Sequence, residues 1–133
     1  MEYSICLNPK TPETTALLHR SLEMFHDYVA PEDVRPALQD MLQDLKSLTD
    51  EMEATPSGRI PTYYSLKADT YKLLLIKQAI EIQKVFLQDT VTRATDWPPY
   101  CSDELQQYCK EISILENLKD YIHHVEVFEN AHA

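Results

Sequence analysis

Two carboxylate–imidazole pairs in this sequence have a spacing that could bind a metal ion. Glu23 precedes His26 by three residues, and Asp120 precedes His123 by three residues. Side chains three positions apart lie on the same face of a helix, so each pair could supply two ligands to one ion. Two such pairs on different helices would suit a dinuclear carboxylate site inside a helical bundle.

A dinuclear site of that kind also needs two further carboxylates. The candidates in this chain are Glu81 and one of Glu51 or Glu53. Phe25 and Val29 define the core-facing side of the first predicted helix, and this turns the neighbouring imidazole aside from the core. We therefore interpret the first pair as an exposed helix pair, and we expect no metal and no cofactor.

A second arrangement with possible chemistry is Arg20 followed by His26, with five residues between them. This spacing resembles the Arg-x4-6-His signature of HEPN ribonucleases, which are also small helical proteins. The resemblance covers these two residues, and it implies that they would act as a general acid–base pair on RNA. A HEPN-type ribonuclease and the di-metal carboxylate bundle are the two alternatives to a binding function.

Other catalytic signatures are missing from the sequence. A single glycine in 133 residues excludes a glycine-rich phosphate loop. The three cysteines show neither a CxxC pair nor a disulfide framework. We therefore expect a protein that is not an enzyme.

Charge is the strongest functional signal in the composition. The net charge is −10, from 22 acidic and 12 basic residues. Such a surface repels nucleic acid and anionic lipid and attracts cationic partners. The N-terminus has no signal-peptide pattern, and no apolar run is long enough to cross a bilayer. We expect a cytoplasmic protein that binds neither nucleic acid nor membrane directly.

The acidic residues concentrate in two segments. Residues 31–54 and 102–133 each carry seven acids and two bases, whereas residues 62–92 carry three acids and four bases. We predict that the outer face of the second helix, helped by two aromatic residues, binds a basic protein. The predicted contacts are Asp40, Asp44, Asp50, Glu51, Trp97 and Tyr100.

This combination of fold and charge is similar to that of toxin-immunity proteins, secretion chaperones and phage-type inhibitors. The similarity implies a protein that inhibits or sequesters its partner by steric and electrostatic occlusion. In that mechanism acidic residues accelerate association, while apolar and aromatic residues supply affinity.

The fold that must position these residues is predicted from apolar periodicity. Spacings of three and four, prolines at helix starts and the scarcity of glycine predict an all-α protein. We expect one domain over residues 1–133, an up-down-up-down four-helix bundle with a short extended N-terminal arm. The predicted helices cover residues 12–30, 32–54, 62–92 and 102–130.

Two of these helices carry apolar residues in patterns that predict how they pack. The third helix is apolar around much of its circumference, including Tyr71, Leu74, Val85 and Phe86, which predicts burial against several neighbours. The second helix has a near-heptad seam that could also mediate homodimerisation. That seam comprises Val34, Leu38, Met41, Leu45, Leu48 and Met52.

Overall fold

The computed structural model describes residues 2–59, 61, 63–94 and 102–131. Two extra turns flank the first two helices: a π-helical segment, Phe25–Val29, and a 3-10 turn, Ser57–Arg59. The described chain is mostly helical, with four α-helices and one two-stranded sheet. In chain order, its elements are β1 (Glu2–Leu7), α1 (Pro12–Met24), α2 (Arg35–Ala54), β2 (Tyr64–Asp69), α3 (Thr70–Ala94) and α4 (Ser102–Ala131).

The described chain is mostly helical, as predicted, but it also contains a sheet that the all-α prediction did not include. The prediction of a helix over 62–92 is wrong for Tyr64–Asp69, which form β2 and pair antiparallel with β1. The N-terminal arm is therefore half of a sheet, although the sequence offered it no evident partner. In the register Ile5 lies opposite Leu66, and both side chains are buried.

Alternation of apolar and polar residues explains why both segments are strands. Along β2, Tyr64, Leu66 and Ala68 are buried while Lys67 and Asp69 are exposed, a period of two that a pleated strand produces. β1 has the same alternation, so pairing brings the two apolar faces to the same side. One face of the sheet therefore joins the core and the other faces solvent.

Helix α1 begins and ends close to the predicted positions. Pro12 occupies the first turn, and Ala30 adopts an extended conformation before a proline, which stops the helix. Thr11 precedes the helix, but its hydroxyl hydrogen-bonds the carbonyl of Asn8 and does not cap the helix. The last predicted turn of α1 is the π-helical segment Phe25–Val29.

The seam of α2 lies in the core. Leu38, Met41 and Leu45 have no solvent exposure, and Leu48 and Met52 pack at the edge of the same cluster. The monomer thus already buries most of the apolar residues through which the predicted homodimerisation of α2 would occur.

Helices α3 and α4 pack side by side and run antiparallel. Two interhelical ion pairs, each 2.9 Å long, join Lys77 to Glu126 and Lys119 to Glu81. As the residue number rises along α3, that of the partner on α4 falls.

None of the described helices is long and apolar enough to cross a membrane.

The outer side of α3 differs from the prediction. Tyr71, Leu74, Val85 and Phe86 were expected to be buried, yet each is about half exposed, from 48% to 53%. The neighbouring elements cover the side of α3 that carries Leu73, Ile76 and other buried residues. The opposite side of the helix is left with apolar side chains in contact with solvent.

Candidate binding surface

All five carboxylates of α2 have exposed side chains. They belong to Asp40, Asp44, Asp50, Glu51 and Glu53. Five lysine or arginine ion pairs and two histidine–carboxylate contacts join other described residues, and none of them includes a residue of α2. The negative charge of this helix is therefore uncompensated by contact within the described part of the chain.

Three of these carboxylates form one row. Asp40, Asp44 and Glu51 stand at positions i, i+4 and i+11, which at roughly 100° per residue lie within about 40° of one another around the helix axis. The two basic residues of α2, Arg35 and Lys46, lie roughly 140–160° away from the centre of that row on the same geometry. We call Asp40, Asp44 and Glu51 the acidic stripe.

Asp50 does not belong to the acidic stripe. It lies roughly 100° away around α2 and lines a cleft of about 540 Å³ between α1 and α2. The cationic side chain of Lys46 and the imidazole of His19 line the same cleft as Asp50. The structure thus separates one of the four predicted acidic contacts from the other three.

The two predicted aromatic contacts, Trp97 and Tyr100, lie outside the described residues. A third aromatic residue, Tyr28, is not among the predicted contacts, and its side chain is 83% exposed. It lies in the π-helical segment, four positions before the exposed acid Glu32 and five before Asp33. Leu18, Leu22 and Phe25 form an apolar seam with helical spacing, and Tyr28 lies outside that seam. This spacing is the sequence signal that predicts the exposure of Tyr28.

Arg20 and His26 do not converge. The guanidinium of Arg20 lies 2.9 Å from the carboxylate of Glu111 on α4. The Nδ1 of His26 lies 2.8 Å from the Oδ1 of Asp27. The imidazole of His26 lines a second cleft, of about 310 Å³, on the side of α1 that faces α2. The two side chains thus lie on different flanks of α1 and line different clefts.

The carboxylate–imidazole pairs do not assemble into a metal site either. Glu23 approaches His19, at 3.9 Å, rather than a carboxylate of another helix. Glu81 is paired with Lys119 and Lys84 on the outer flank of α3. Among the described residues, no group of three or more His, Cys, Asp or Glu side chains is placed to hold a metal ion.

Glu81 is an acid of α3 that is neutralised by an ion pair with α4. The hydrogen bond from Lys119 lowers the pKa of Glu81, and the same bond raises the pKa of Lys119. Both groups stay charged over a wide pH range as a result. Glu81 and Glu126, which are paired across these two helices, contrast with the acids of α2, none of which has an ion pair among the described residues.

Comparison with known proteins adds no relative to this description. No protein-family model, curated protein sequence or solved structure matches this chain.

Proposed function

We propose that this chain is a non-enzymatic, acidic helical protein that binds a basic protein partner through α2 and inhibits or sequesters it. The observation that carries the proposal is the acidic stripe: three exposed carboxylates on one face of a helix, with no ion pair among the described residues. The proposed scaffold is a single domain, an antiparallel four-helix bundle, with the two-stranded sheet closing one side.

The stripe supports electrostatic recognition for a physical reason. Like charges four positions apart, such as Asp40 and Asp44, destabilise an isolated helix by roughly 0.2–0.5 kcal/mol. A cationic partner removes that repulsion and is drawn in by the summed negative potential of the face. Complementary charge of this kind raises association rates more than it raises final affinity.

Affinity requires buried apolar or aromatic side chains at the same surface. Tyr28 and Val29, 83% and 52% exposed, stand directly before the connection to α2 and its exposed acids Glu32 and Asp33. We include them in the proposed interface beside the acidic stripe. Trp97 and Tyr100 remain predicted contacts, and Asp50 is assigned to the neighbouring cleft.

The proposed mechanism is occlusion. An acidic face that docks on a basic protein covers the positive surface which that protein needs for an anionic ligand such as nucleic acid. The chain itself is proposed to act in the cytoplasm, without direct contact with nucleic acid or membrane.

The test compares two variants with the same change in charge. The first, Asp40→Asn/Asp44→Asn/Glu51→Gln, removes the acidic stripe. The second, Asp103→Asn/Glu116→Gln/Asp120→Asn, removes two aspartates and one glutamate that are exposed on α4. Circular dichroism and thermal melts establish that both variants are folded.

Wild type and both variants are immobilised and exposed to source lysate at about 50 and 300 mM salt. We expect one basic protein to bind wild type and the α4 variant at low salt, and to dissociate at high salt. Loss of the stripe should slow association by about tenfold or more. Equal capture by all three proteins, or equal loss in both variants, would contradict the assignment to α2.

A further inference from the structure

The outer side of α3 carries a row of side chains with a symmetric spacing. Tyr71, Leu74, Gln78, Ile82 and Val85 follow one another in steps of three, four, four and three residues. Steps of three and four keep side chains on one helical face. Tyr71, Leu74 and Val85 are 48%, 49% and 53% exposed, Gln78 is exposed and Ile82 is partly buried. We call this row the α3 stripe.

The steps of the α3 stripe read the same in both directions from Gln78. When two such helices meet antiparallel, Tyr71 of one copy therefore lies opposite Val85 of the other, and Leu74 lies opposite Ile82. Gln78 faces its own counterpart, and two amide side chains can exchange hydrogen bonds. A two-fold interface requires this self-complementarity, whereas an unrelated partner does not.

Charge opposes a second copy less at this position than at the acidic faces of the protein. Two proteins that each carry −10 repel one another wherever their acidic faces meet. Helix α3 itself carries four basic and two acidic residues, for +2. Both acids are already ion-paired within the monomer: Glu81 with Lys119 at 2.9 Å, and Asp89 with Arg93 at 3.1 Å. The α3 stripe is thus an apolar surface at which the approach of a like copy meets no unpaired acid of α3.

We propose that the α3 stripe is the interface of a homodimer in which the two α3 helices pack antiparallel about a two-fold axis at Gln78. Phe86, 53% exposed and next to Val85, lies at the rim of this contact. The proposal extends beyond partner binding and does not depend on it, because the acidic stripe lies on a different helix. A dimer would present two acidic stripes and so bind a multivalent basic partner more tightly than a monomer.

The first test is the mass of the full chain in solution. Sedimentation equilibrium between about 1 and 200 μM should show a change from 15.5 kDa toward twice that mass for wild type. Val85→Glu places a charge in the interface of each copy and should weaken dimerisation by about 100-fold or more. Val29→Glu is the matched control, because Val29 is 52% exposed and lies outside the α3 stripe. A monomeric wild type at 200 μM overturns the proposal, as does an equal effect of both substitutions.

The second test locates the symmetry axis. Cys6, Cys101 and Cys109 are replaced by serine, and Gln78→Cys is introduced. Facing thiols at a two-fold axis lie within reach of a disulfide, so an added oxidant should convert most of this variant into a covalent dimer at low micromolar concentration. Gln106→Cys, exposed on α4, is the control and should remain monomeric. A dimer that forms through residue 106 as readily as through residue 78 overturns the proposed axis.

Discussion

The ion pair between Arg20 and Glu111 should stabilise the fold, and its two halves should contribute unequally. The pair joins α1 to α4 with a nitrogen–oxygen distance of 2.9 Å. The side chain of Glu111 is 12% exposed, whereas that of Arg20 is 49% exposed. Replacing the arginine leaves a carboxylate with little access to water, while replacing the glutamate leaves a guanidinium that water can still solvate.

The expected costs follow from these exposures. Removing one partner of a fully buried pair costs about 3–5 kcal/mol, and an exposed pair contributes about 0–1 kcal/mol. The Arg20–Glu111 pair lies between these limits. We therefore expect Arg20→Met to lower the free energy of unfolding by about 2–3 kcal/mol and Glu111→Gln to lower it by about 1 kcal/mol.

Urea unfolding at pH 7, followed by far-UV circular dichroism, measures both costs and, with the double variant, their coupling. Arg59→Met is the control, since Arg59 is exposed and no described ion pair includes it. An unfolding free energy of Arg20→Met within about 0.5 kcal/mol of wild type would refute the reasoning. A greater cost for Glu111→Gln than for Arg20→Met would do the same. The HEPN alternative makes the opposite prediction, namely lost RNA cleavage with unchanged stability.

Three further predictions concern the sheet and the helices beside it. Leu66 is 1% exposed, so Leu66→Ala should reduce the free energy of unfolding in urea by about 2–5 kcal/mol. Lys67→Ala, on the solvent face of β2, should reduce it by less than about 1 kcal/mol. Equal losses in the two variants would contradict the strand assignment. The carboxylate of Asp69 accepts a 2.8 Å hydrogen bond from the backbone N–H three residues later. Asp69→Ala should therefore reduce the free energy of unfolding by about 1 kcal/mol and lower the melting temperature, whereas Asp69→Asn should retain most of this stability. The hydroxyl of Tyr121 accepts a 2.8 Å hydrogen bond from the N–H of Cys6, and burial raises the pKa of this tyrosine above 10.0. The folded state therefore holds the phenolic proton more tightly than the unfolded state. The contribution of protonated Tyr121 to the free energy of unfolding is complete below pH 10 and is progressively lost as pH rises through the folded pKa. Tyr121→Phe should cost about 0.5–1.5 kcal/mol at pH 7 and show a shallower loss of stability above pH 10; identical slopes for both proteins would contradict the burial argument.

The helices could be predicted from the sequence because their signals are local. Pro12 marks the start of α1, and the seam of α2 repeats at three and four residues over most of its length. The predicted ends of α2 and α4 lie within three residues of the observed ones. These signals require no knowledge of the rest of the chain.

The second strand was missed because its residues fit two periods at once. Tyr64, Ala68 and Tyr71 are spaced as on a helix, while Tyr64, Leu66 and Ala68 alternate as on a strand. The decision depends on β1, whose residues pair with β2 across some sixty positions of sequence. The alternation of apolar and polar residues that β1 and β2 share is the sequence signal that predicts their pairing.

The candidate surface was predictable in composition and only partly in geometry. The exposure of Asp40, Asp44 and Glu51 follows from their positions outside the apolar seam of α2, roughly 80–120° around the helix axis from its centre. The assignment of Asp50 to a cleft depends on where α1 lies, and the pairing of Arg20 depends on a residue 91 positions away. The exposure of the outer side of α3 depends on how many neighbours reach it, which the amphipathic pattern of one helix does not specify.

The pairing of β1 with β2 has a consequence for synthesis of the chain on the ribosome. The first strand is complete at Leu7, but its partner is complete only at Asp69. At about 5–20 residues per second, translation of the intervening chain takes roughly 3–12 s. During that interval Tyr3, Ile5 and Leu7 have no strand against which to bury their side chains, while the segments of α1 and α2 emerge behind them. The core therefore closes late, and a nascent chain stalled before residue 64 should present β1 as a free apolar strand to chaperones and proteases.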